Sequence, residues 1–303
     1  MGTFSIKDIE AVSGIKSHTL RIWEQRYGII VPKRTDSNIR YYDDDDLKHI
    51  LNISILNRNG LKISEIAKLS KSEIAEAILK ISGRKSEVYN SQVKGLVSAM
   101  LSFDEYSFHK IITTSIIQIG LEETLIKIIF PFLEEVGFLW QVGSIHPSHE
   151  HFASNIIKQK LYVAIDGNVG RFAENRKRFL LFLPENEQHS LGLLFANYIL
   201  RSRGHDVIYL GQEVPLEELQ RAFDNQHPDY ILTMLTAGHV NIDKQQFINN
   251  INKFWPNTNV LLAGPQFNGN ELSLPANTRI IKRMSDFIAL IDSFTMNNGE
   301  VLN

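Results

Sequence analysis

Short apolar runs alternate with helical patterns in the C-terminal part of the chain. Runs at 179–183, 230–235 and 259–262 have the length of buried strands, and the first leads into a helical pattern at 193–200. Strands that alternate with helices are typical of a parallel sheet covered by helices. The pattern therefore predicts an α/β domain over residues 177–299.

Two short helices open the chain. Residues 5–12 form an amphipathic helical pattern, and a turn containing glycine follows at 13–15. Ser17 is expected to cap a second helix over 18–26, because a serine oxygen accepts from the first unpaired amides of a helix. Two short helices joined by a tight turn are a helix-turn-helix candidate.

The next segment predicts a wing. Residues 29–42 place β-forming residues around a polar tip that carries Arg34 and Arg40. Basic side chains in this position suit contacts with a phosphate backbone or a minor groove. The acidic run 43–46 is expected to be the solvated start of a helix, where carboxylates stabilise the helix dipole. We place the whole winged domain at residues 1–75.

The middle of the chain is helical. Helical periodicity continues from residue 86 to residue 161 with few breakers. This length and pattern predict a four-helix bundle of about eighty residues, which we place at 84–168. The expected fold class is therefore multidomain.

Composition limits the classes of protein. The chain has 303 residues, of which 43% are hydrophobic and 22% charged, so it resembles an ordinary soluble protein with room for two or three domains. It contains no cysteine, which excludes disulfides, thiolate zinc sites and cysteine nucleophiles. No signal peptide and no membrane-length apolar run is visible, so we expect a cytoplasmic protein without membrane contact. The net charge of −2 leaves a local basic patch possible.

The candidate chemistry lies where the predicted strands end. His189 follows the first strand, with Glu187 two residues earlier and Gly192 at the start of the helix. Ligands bind at this edge of open α/β sheets, and a carboxylate commonly orients a metal-ligating histidine. Most histidines in such loops are surface or capping residues. A site is favoured because Thr233 and Gly264 end two further strands at the same edge.

This series resembles the cobalamin-binding, flavodoxin-like (Rossmann-like) domain, over about residues 178–298. The resemblance implies that His189 is the lower axial ligand of cobalt, replacing the benzimidazole of the cofactor, and that Glu187 orients it. It also implies contacts with the displaced nucleotide tail from Gly192, Thr233, Leu235 and Gly264. Ala263 replaces the first glycine of the family's Gly-Gly pair, and its methyl group is expected to tighten the tail groove without closing it.

The N-terminal segment resembles the MerR-type winged-helix DNA-binding domain over roughly residues 3–72. The matching motifs, in the family's order and spacing, are 19–24, 26–28, 32–34 and 40–42. The resemblance implies that the major groove is contacted by His18 and Arg21, and phosphates or the minor groove by Tyr27, Arg34, Arg40 and Tyr41. Alternatively, the aromatic residues are core residues, as we expect for Trp23. The long dimerisation helix of classical members is absent from the sequence pattern, so self-association is assigned to the bundle and the α/β domain.

Histidines cluster between residues 140 and 151. The zinc-protease pattern H-E-x-x-H fails because Ala153 stands where its second histidine belongs, which disfavours a zinc site. The spacing from Trp140 to Glu150 and His151 instead resembles the upper-face cap of cobalamin-binding MerR-type regulators.

That family includes light-responsive repressors. The resemblance implies that Trp140 covers the upper ligand and that Glu150 and His151 line a pocket for an adenosyl group. The alternative for Trp140 is a bundle-core aromatic. Gln141 replaces the histidine that captures cobalt in light-sensing members, and His146 and His149 lie outside that position. Cobalamin binding is therefore better supported than light switching.

These features predict a regulator rather than an enzyme. We expect a repressor that binds a double-stranded DNA operator as a dimer or tetramer, under the control of cobalamin in its adenosyl form. One alternative is a regulator whose sensor domain has lost the cofactor and serves oligomerisation. The other is a corrinoid methyl-carrier, which is disfavoured because the remaining chain length forms a DNA-binding domain.

Overall fold

The computed structural model describes residues 4–35, 38–82, 89–141, 143–223, 228–236, 242–268 and 272–296. The chain divides into two compact units, Met1–Ile156 and Ile157–Asn303. The domain limits predicted at residues 1, 84 and 299 lie outside the described residues, so the three-domain division stays a prediction.

The first unit begins with a helix-turn-helix, a two-stranded wing and three further helices. Their bounds are α1 Ile6–Ser13, α2 Ser17–Tyr27, β1 Lys33–Arg34, β2 Arg40–Tyr41, α3 Asp44–Arg58, α4 Ile63–Ile66 and α5 Lys71–Ser82. Ser5 and Asp8 form a capping box at the start of α1, since each side chain accepts a hydrogen bond from the other's backbone amide. Gly14, at a φ of 70°, ends the helix.

The predicted cap of α2 is wrong. Lys16 occupies the N-cap position, and Ser17 is the first residue of the helix. The backbone amide and the hydroxyl of Ser17 both donate to Glu10 Oε2, at 2.9 and 2.6 Å. These bonds hold the pKa of Glu10 at about 2, and the carboxylate ties α1 to α2. The serine hydroxyl therefore joins two helices rather than capping one.

A small hydrophobic core supports this part of the unit. Trp23 is 7% exposed and Tyr42 is 1% exposed, and both pack in one cluster with Leu20, Ile50 and Ile53. The expectation that Trp23 is a core residue is confirmed. Tyr42 is also a core aromatic, whereas Tyr41 remains half-buried on the wing.

The middle segment is helical, as predicted. Its elements are α6 Asn90–Leu101, α7 Glu105–Ile119, α8 Leu121–Thr124, a π-helical turn Leu125–Ile129, α9 Phe130–Gln141 and α10 Pro147–Asp166. Because α8, the π-helical turn and α9 follow one another directly, the segment contains four successive helical stretches. Phe108 of α7 makes edge contacts with Phe132 of α9 at 5.5 Å and with Phe152 of α10 at 5.9 Å.

The second unit contains the predicted parallel sheet. Its elements are β3 Arg178–Pro184, α11 Leu191–Ser202, β4 Asp206–Val214, α12 Leu216–Phe223, β5 Tyr230–Met234, α13 Lys244–Phe254, β6 Asn259–Ala263, a 3-10 turn Pro265–Phe267, β7 Thr278–Ile281 and α14 Met284–Met296. The strands lie in the order β4-β3-β5-β6-β7, and every neighbouring pair is parallel. Strand order reverses beside β3, so the loops after β3 and β5 diverge and leave a crevice.

Among the described residues, no helix combines the length and apolar character that a bilayer crossing requires.

Candidate functional sites

A buried carboxylate orients the histidine that follows β3. Glu187 is fully buried, and its Oε1 accepts from the backbone amide of His189 at 2.9 Å and from His189 Nδ1 at 2.7 Å. The His189 side chain is 55% exposed. Since a carboxylate only accepts, Nδ1 carries the proton, and the lone pair of the neutral ring lies on Nε2. The loop therefore presents an imidazole in the tautomer that ligates a metal through Nε2.

Two neighbouring loops hold this arrangement in place. Glu187 Oε2 accepts from the backbone amide of Thr236, after β5, at 2.6 Å. Gln188 Nε2 donates to Glu213 Oε1, at the end of β4, at 2.6 Å. Sequence reasoning missed both contacts. A backbone donor such as that of Thr236 leaves no residue-type signal, and Glu213 had no motif to distinguish it.

A cleft of about 180 Å³ opens at the carboxyl ends of β5, β6 and β7. Its lining includes Met234, Ala263, Gly264, Lys282 and Phe287. Ala263 thus borders the cleft. Gly264 has a φ of 103°, and a Cβ on it would lie 2.2 Å from the carbonyl oxygen of Leu235. Only glycine fits this close approach of two loops.

Two further predicted residues adjoin Met234, which lines the cleft. A Cβ on Gly192 would lie 3.1 Å from Met234 Sδ, so the thioether packs directly over the glycine. Thr233 is fully buried, and its Oγ1 has no hydrogen-bond partner among the described residues. A buried hydroxyl without a partner is uncommon and is expected where a ligand supplies one.

The histidines at positions 146–151 of the first unit contact residues that are close to them in the sequence or in space. Glu150 Oε2 lies 3.0 Å from His151 Nδ1, and their side chains are 44% and 71% exposed. His149 Nδ1 accepts from the backbone amide of His146 at 3.0 Å, and the ring stacks on Phe103 at 4.7 Å. The Nε2 of a neutral His149 therefore carries the proton, which disfavours it as a metal ligand. Within the described ranges, no three metal-ligating side chains are grouped around a common point.

The helix-turn-helix exposes the residues predicted for the major groove. His18 and Arg21 are exposed and stand three positions apart on α2, so they share a face. Tyr27, at the end of α2, is half-buried against the small core. On the wing, Arg34 is exposed, and its Nη1 donates to Asn38 Oδ1 at 2.8 Å.

Two other basic side chains of the wing are held by carboxylates. Arg40 Nε lies 3.3 Å from Glu24 Oε2, which ties the wing to α2. Lys33 Nζ pairs with Asp43 and Asp46, raising the pKa of Lys33 to about 12 and lowering that of Asp43 to about 2. The acidic run is therefore the start of α3 and also the anchor of the wing. Arg34 is left as the outward cation at the tip.

Two family profiles match the chain. The profile described as MerR HTH family regulatory protein matches residues 4–73, and the one described as B12 binding domain matches residues 92–165. The chain therefore combines a MerR-type helix-turn-helix domain with a B12-binding domain. The predicted DNA-binding and cobalamin-binding character is confirmed, and the second match covers the helical segment.

Two curated relatives match about three quarters of this chain. The HTH-type transcriptional repressor CarH of Myxococcus xanthus is 27% identical and covers 76% of this chain and 77% of its own length. The repressor CarA of the same organism is 28% identical, with 76% and 75% covered. The Methanosarcina barkeri monomethylamine corrinoid protein matches 69% of this chain and 99% of its own, with a TM-score of 0.54 and 11% identity. The structural likeness supports the fold alone.

Proposed function

We propose that this chain is a cytoplasmic transcriptional repressor whose oligomeric state and operator affinity are controlled by adenosylcobalamin. The observation that carries the proposal is the buried Glu187 that orients the exposed imidazole of His189, in a chain that also holds a winged helix-turn-helix. A ligand that binds the assembled form better stabilises that form. Pairing winged helices on repeated half-sites then multiplies modest single affinities.

The α/β domain has groups that fit a corrinoid with a nucleotide tail. His189 Nε2 suits cobalt, which accepts imidazole ligands. Gly192 and Gly264 allow close approach by the thioether of Met234 and by the backbone of Leu235, and the hydroxyl of Thr233, which has no partner among the described residues, awaits a polar partner. Leu235 contributes its backbone at the same edge. We infer that bound cobalamin supplies the cobalt centre, while these residues hold its lower face and tail.

The proposal also includes recognition of the adenosyl group of the cofactor. Glu150 and His151 offer a carboxylate and an imidazole at the surface of α10, which suits recognition of sugar hydroxyls and a purine. Trp140 is half-buried near the end of α9, where its ring offers an apolar cover. Gln141 follows it in place of an imidazole ligand, so the proposal includes cobalamin control without light switching of the family's kind.

Two rival functions have distinct expected results. A sensor domain that no longer binds cobalamin would show no saturable colour in a cobalamin titration. A corrinoid methyl-carrier would need methyl donor and acceptor partners. The winged helix at residues 4–73 favours the regulator, as do relatives that are named as transcriptional repressors.

The wing should contribute to DNA affinity through Arg34. Arg34→Ala is expected to weaken binding to all sequences alike and to reduce the slope of log K against log salt by about 1, since one phosphate contact is lost. Arg40→Ala should change the slope less, because Glu24 already neutralises that guanidinium. Fluorescence anisotropy across a salt series measures both slopes. Equal slopes for Arg34→Ala and the wild type would refute the contact of Arg34 with DNA.

Met234 should limit access of the nucleotide tail to the cleft at the carboxyl ends of β5, β6 and β7. The cleft of about 180 Å³ is smaller than the roughly 300 Å³ at which small-molecule pockets begin, and the thioether of Met234 packs over Gly192. Met234→Ala is therefore expected to tighten cobalamin binding about tenfold, because the side chain no longer has to move aside. Cobinamide, which lacks the nucleotide tail, is the control ligand for titration. An equal gain for both corrinoids would contradict this role.

DNA binding with and without the cofactor tests the proposed function. A duplex selected by the protein from a randomised library is titrated in darkness, first alone and then with saturating adenosylcobalamin. We expect the cofactor to tighten binding about tenfold or more, which is within the usual range of allosteric coupling. Identical affinities with the cofactor demonstrably bound would refute cobalamin control.

A further inference from the structure

The end of α9 is capped by a residue of the DNA-binding domain. Asn52 of α3 is 7% exposed, and its Nδ2 donates to the carbonyl oxygen of Gln141 at 3.2 Å. Gln141 is the last residue of α9, and the final carbonyls of a helix have no partner within it. The side chain of Asn52 therefore supplies, from another element, a donor that the helix itself lacks.

Apolar packing accompanies this hydrogen bond. Phe138, one turn before the end of α9, is half-buried against the cluster that contains Trp23 and Ile53. Two acceptor atoms at the same contact lack hydrogen-bond donors among the described residues. Asn52 Oδ1 and Gln141 Oε1 are buried without a hydrogen-bond partner among the described residues. Buried acceptors without donors are destabilising, so this contact is suited to being exchanged for another arrangement.

Helix α3 also holds the turn of the helix-turn-helix. Ser54 Oγ and Arg58 Nη2 both donate to the carbonyl oxygen of Ser13, at 3.0 and 2.7 Å. Ser13 ends α1, and the Arg58 guanidinium occupies the space in which a side chain on Gly14 would lie. One helix thus contacts the end of α9 through Asn52 and the turn before α2 through Ser54 and Arg58.

We infer that Asn52 is a positioning residue that couples the sensor helices to the DNA-binding helices through α3. Gln141 is adjacent to Trp140, the residue proposed to cover the upper ligand. A shift of the end of α9 acts on Asn52, and the bonds to Ser13 carry the shift to the turn before α2. Control of this coupling by cobalamin rests on the proposed function, whereas the contact between α3 and α9 does not.

Hydrogen exchange on the full-length chain tests the contact without cobalamin. Coupling is reciprocal, so adding the selected duplex should slow exchange of the amides at 138–145 in the wild type. Asn52→Leu keeps a side chain branched at Cγ but removes the hydrogen-bond donor. In this variant the slowing should be lost, while the Kd for DNA stays within about threefold of the wild type. Asn57→Leu, an exposed position on the same helix, is the matched control and should keep the slowing. No slowing in the wild type, or full slowing in Asn52→Leu, overturns the inference.

A second measurement separates this inference from the proposed function. The ratio of DNA Kd values without and with adenosylcobalamin is expected to be about tenfold in the wild type and in Asn57→Leu, and below about twofold in Asn52→Leu. A full ratio in Asn52→Leu overturns the coupling role of Asn52. A ratio of one in the wild type refutes cobalamin control, and hydrogen exchange then still decides whether α3 links α9 to the helix-turn-helix.

Discussion

His189→Ala is expected to weaken cobalamin binding by about 100-fold. The substitution removes the cobalt ligand, and it leaves the buried Glu187 carboxylate without its imidazole partner. Glu187→Gln should weaken binding by about 10–100-fold, the usual loss when an orienting partner is changed. The amide nitrogen of the new glutamine would face an amide hydrogen, that of either His189 or Thr236, because the carboxylate accepts from both of these backbone amides.

Isotope labelling identifies the ligand directly. In protein labelled with ¹⁵N, the reduced cobalt centre should show the nuclear coupling of ¹⁵N in electron paramagnetic resonance, because the axial nitrogen comes from the protein. His189→Ala should show only the ¹⁴N coupling of the cofactor's own base. Glu185→Ala, at an exposed position of the same loop, is the control and should behave as the wild type. A ¹⁴N pattern in labelled wild-type protein would disprove ligation by His189.

Gly264→Ala should destabilise the α/β domain by about 3 kcal/mol or more. The added Cβ would lie 2.2 Å from the carbonyl oxygen of Leu235, and the backbone has a φ of 103°. Backbone atoms of both loops would have to separate, which would also disturb the cleft. Trp255, at 4% exposure in this domain, reports its unfolding by fluorescence in urea. Trp23 and Trp140, which lie in the first unit, are replaced by phenylalanine in every protein compared, so that the fluorescence reports the α/β domain alone.

A second glycine separates overlap from backbone strain. Gly170 has a φ of 80° and nothing within 4 Å of the position of its Cβ. Gly170→Ala should therefore cost only about 1–2 kcal/mol, the cost of the left-handed conformation alone. Equal losses in the two variants would show that the contact with Leu235 is not what requires glycine at position 264.

The sequence predicted those elements well whose hydrophobic pattern fits only one kind of structure. The five residues 179–183 form a strand with 0% exposure, because a continuous apolar run suits a strand covered on both faces. The spacing of Glu187 and His189 also predicted their contact, since two residues of one loop can meet without help from the rest of the fold. Ser17 was wrongly predicted as a cap because a serine near a helix start has more than one acceptor within reach.

Contacts between distant segments could not be predicted from the chain. Thr236 supplies a backbone amide to Glu187, and any residue type provides that donor. Arg40 was predicted to contact DNA from its place on the wing, but only the fold shows that Glu24 lies 3.3 Å away. Asn52 and Gln141 are 89 positions apart and belong to no common motif. The roles assigned to these side chains in binding DNA or cobalamin stay predictions.

Size-exclusion chromatography with absorbance detection tests cobalamin control of assembly most directly. The protein is loaded with adenosylcobalamin in darkness and run beside the unloaded protein, His189→Ala and an illuminated sample. We expect the cobalamin colour to elute with a dimer or tetramer that is larger than the unloaded species, and to be lost from His189→Ala. Gln141 stands where light-sensing members have the histidine that captures cobalt. Illumination should therefore leave the loaded oligomer unchanged. Elution of loaded and unloaded protein at one size would contradict control of assembly by cobalamin.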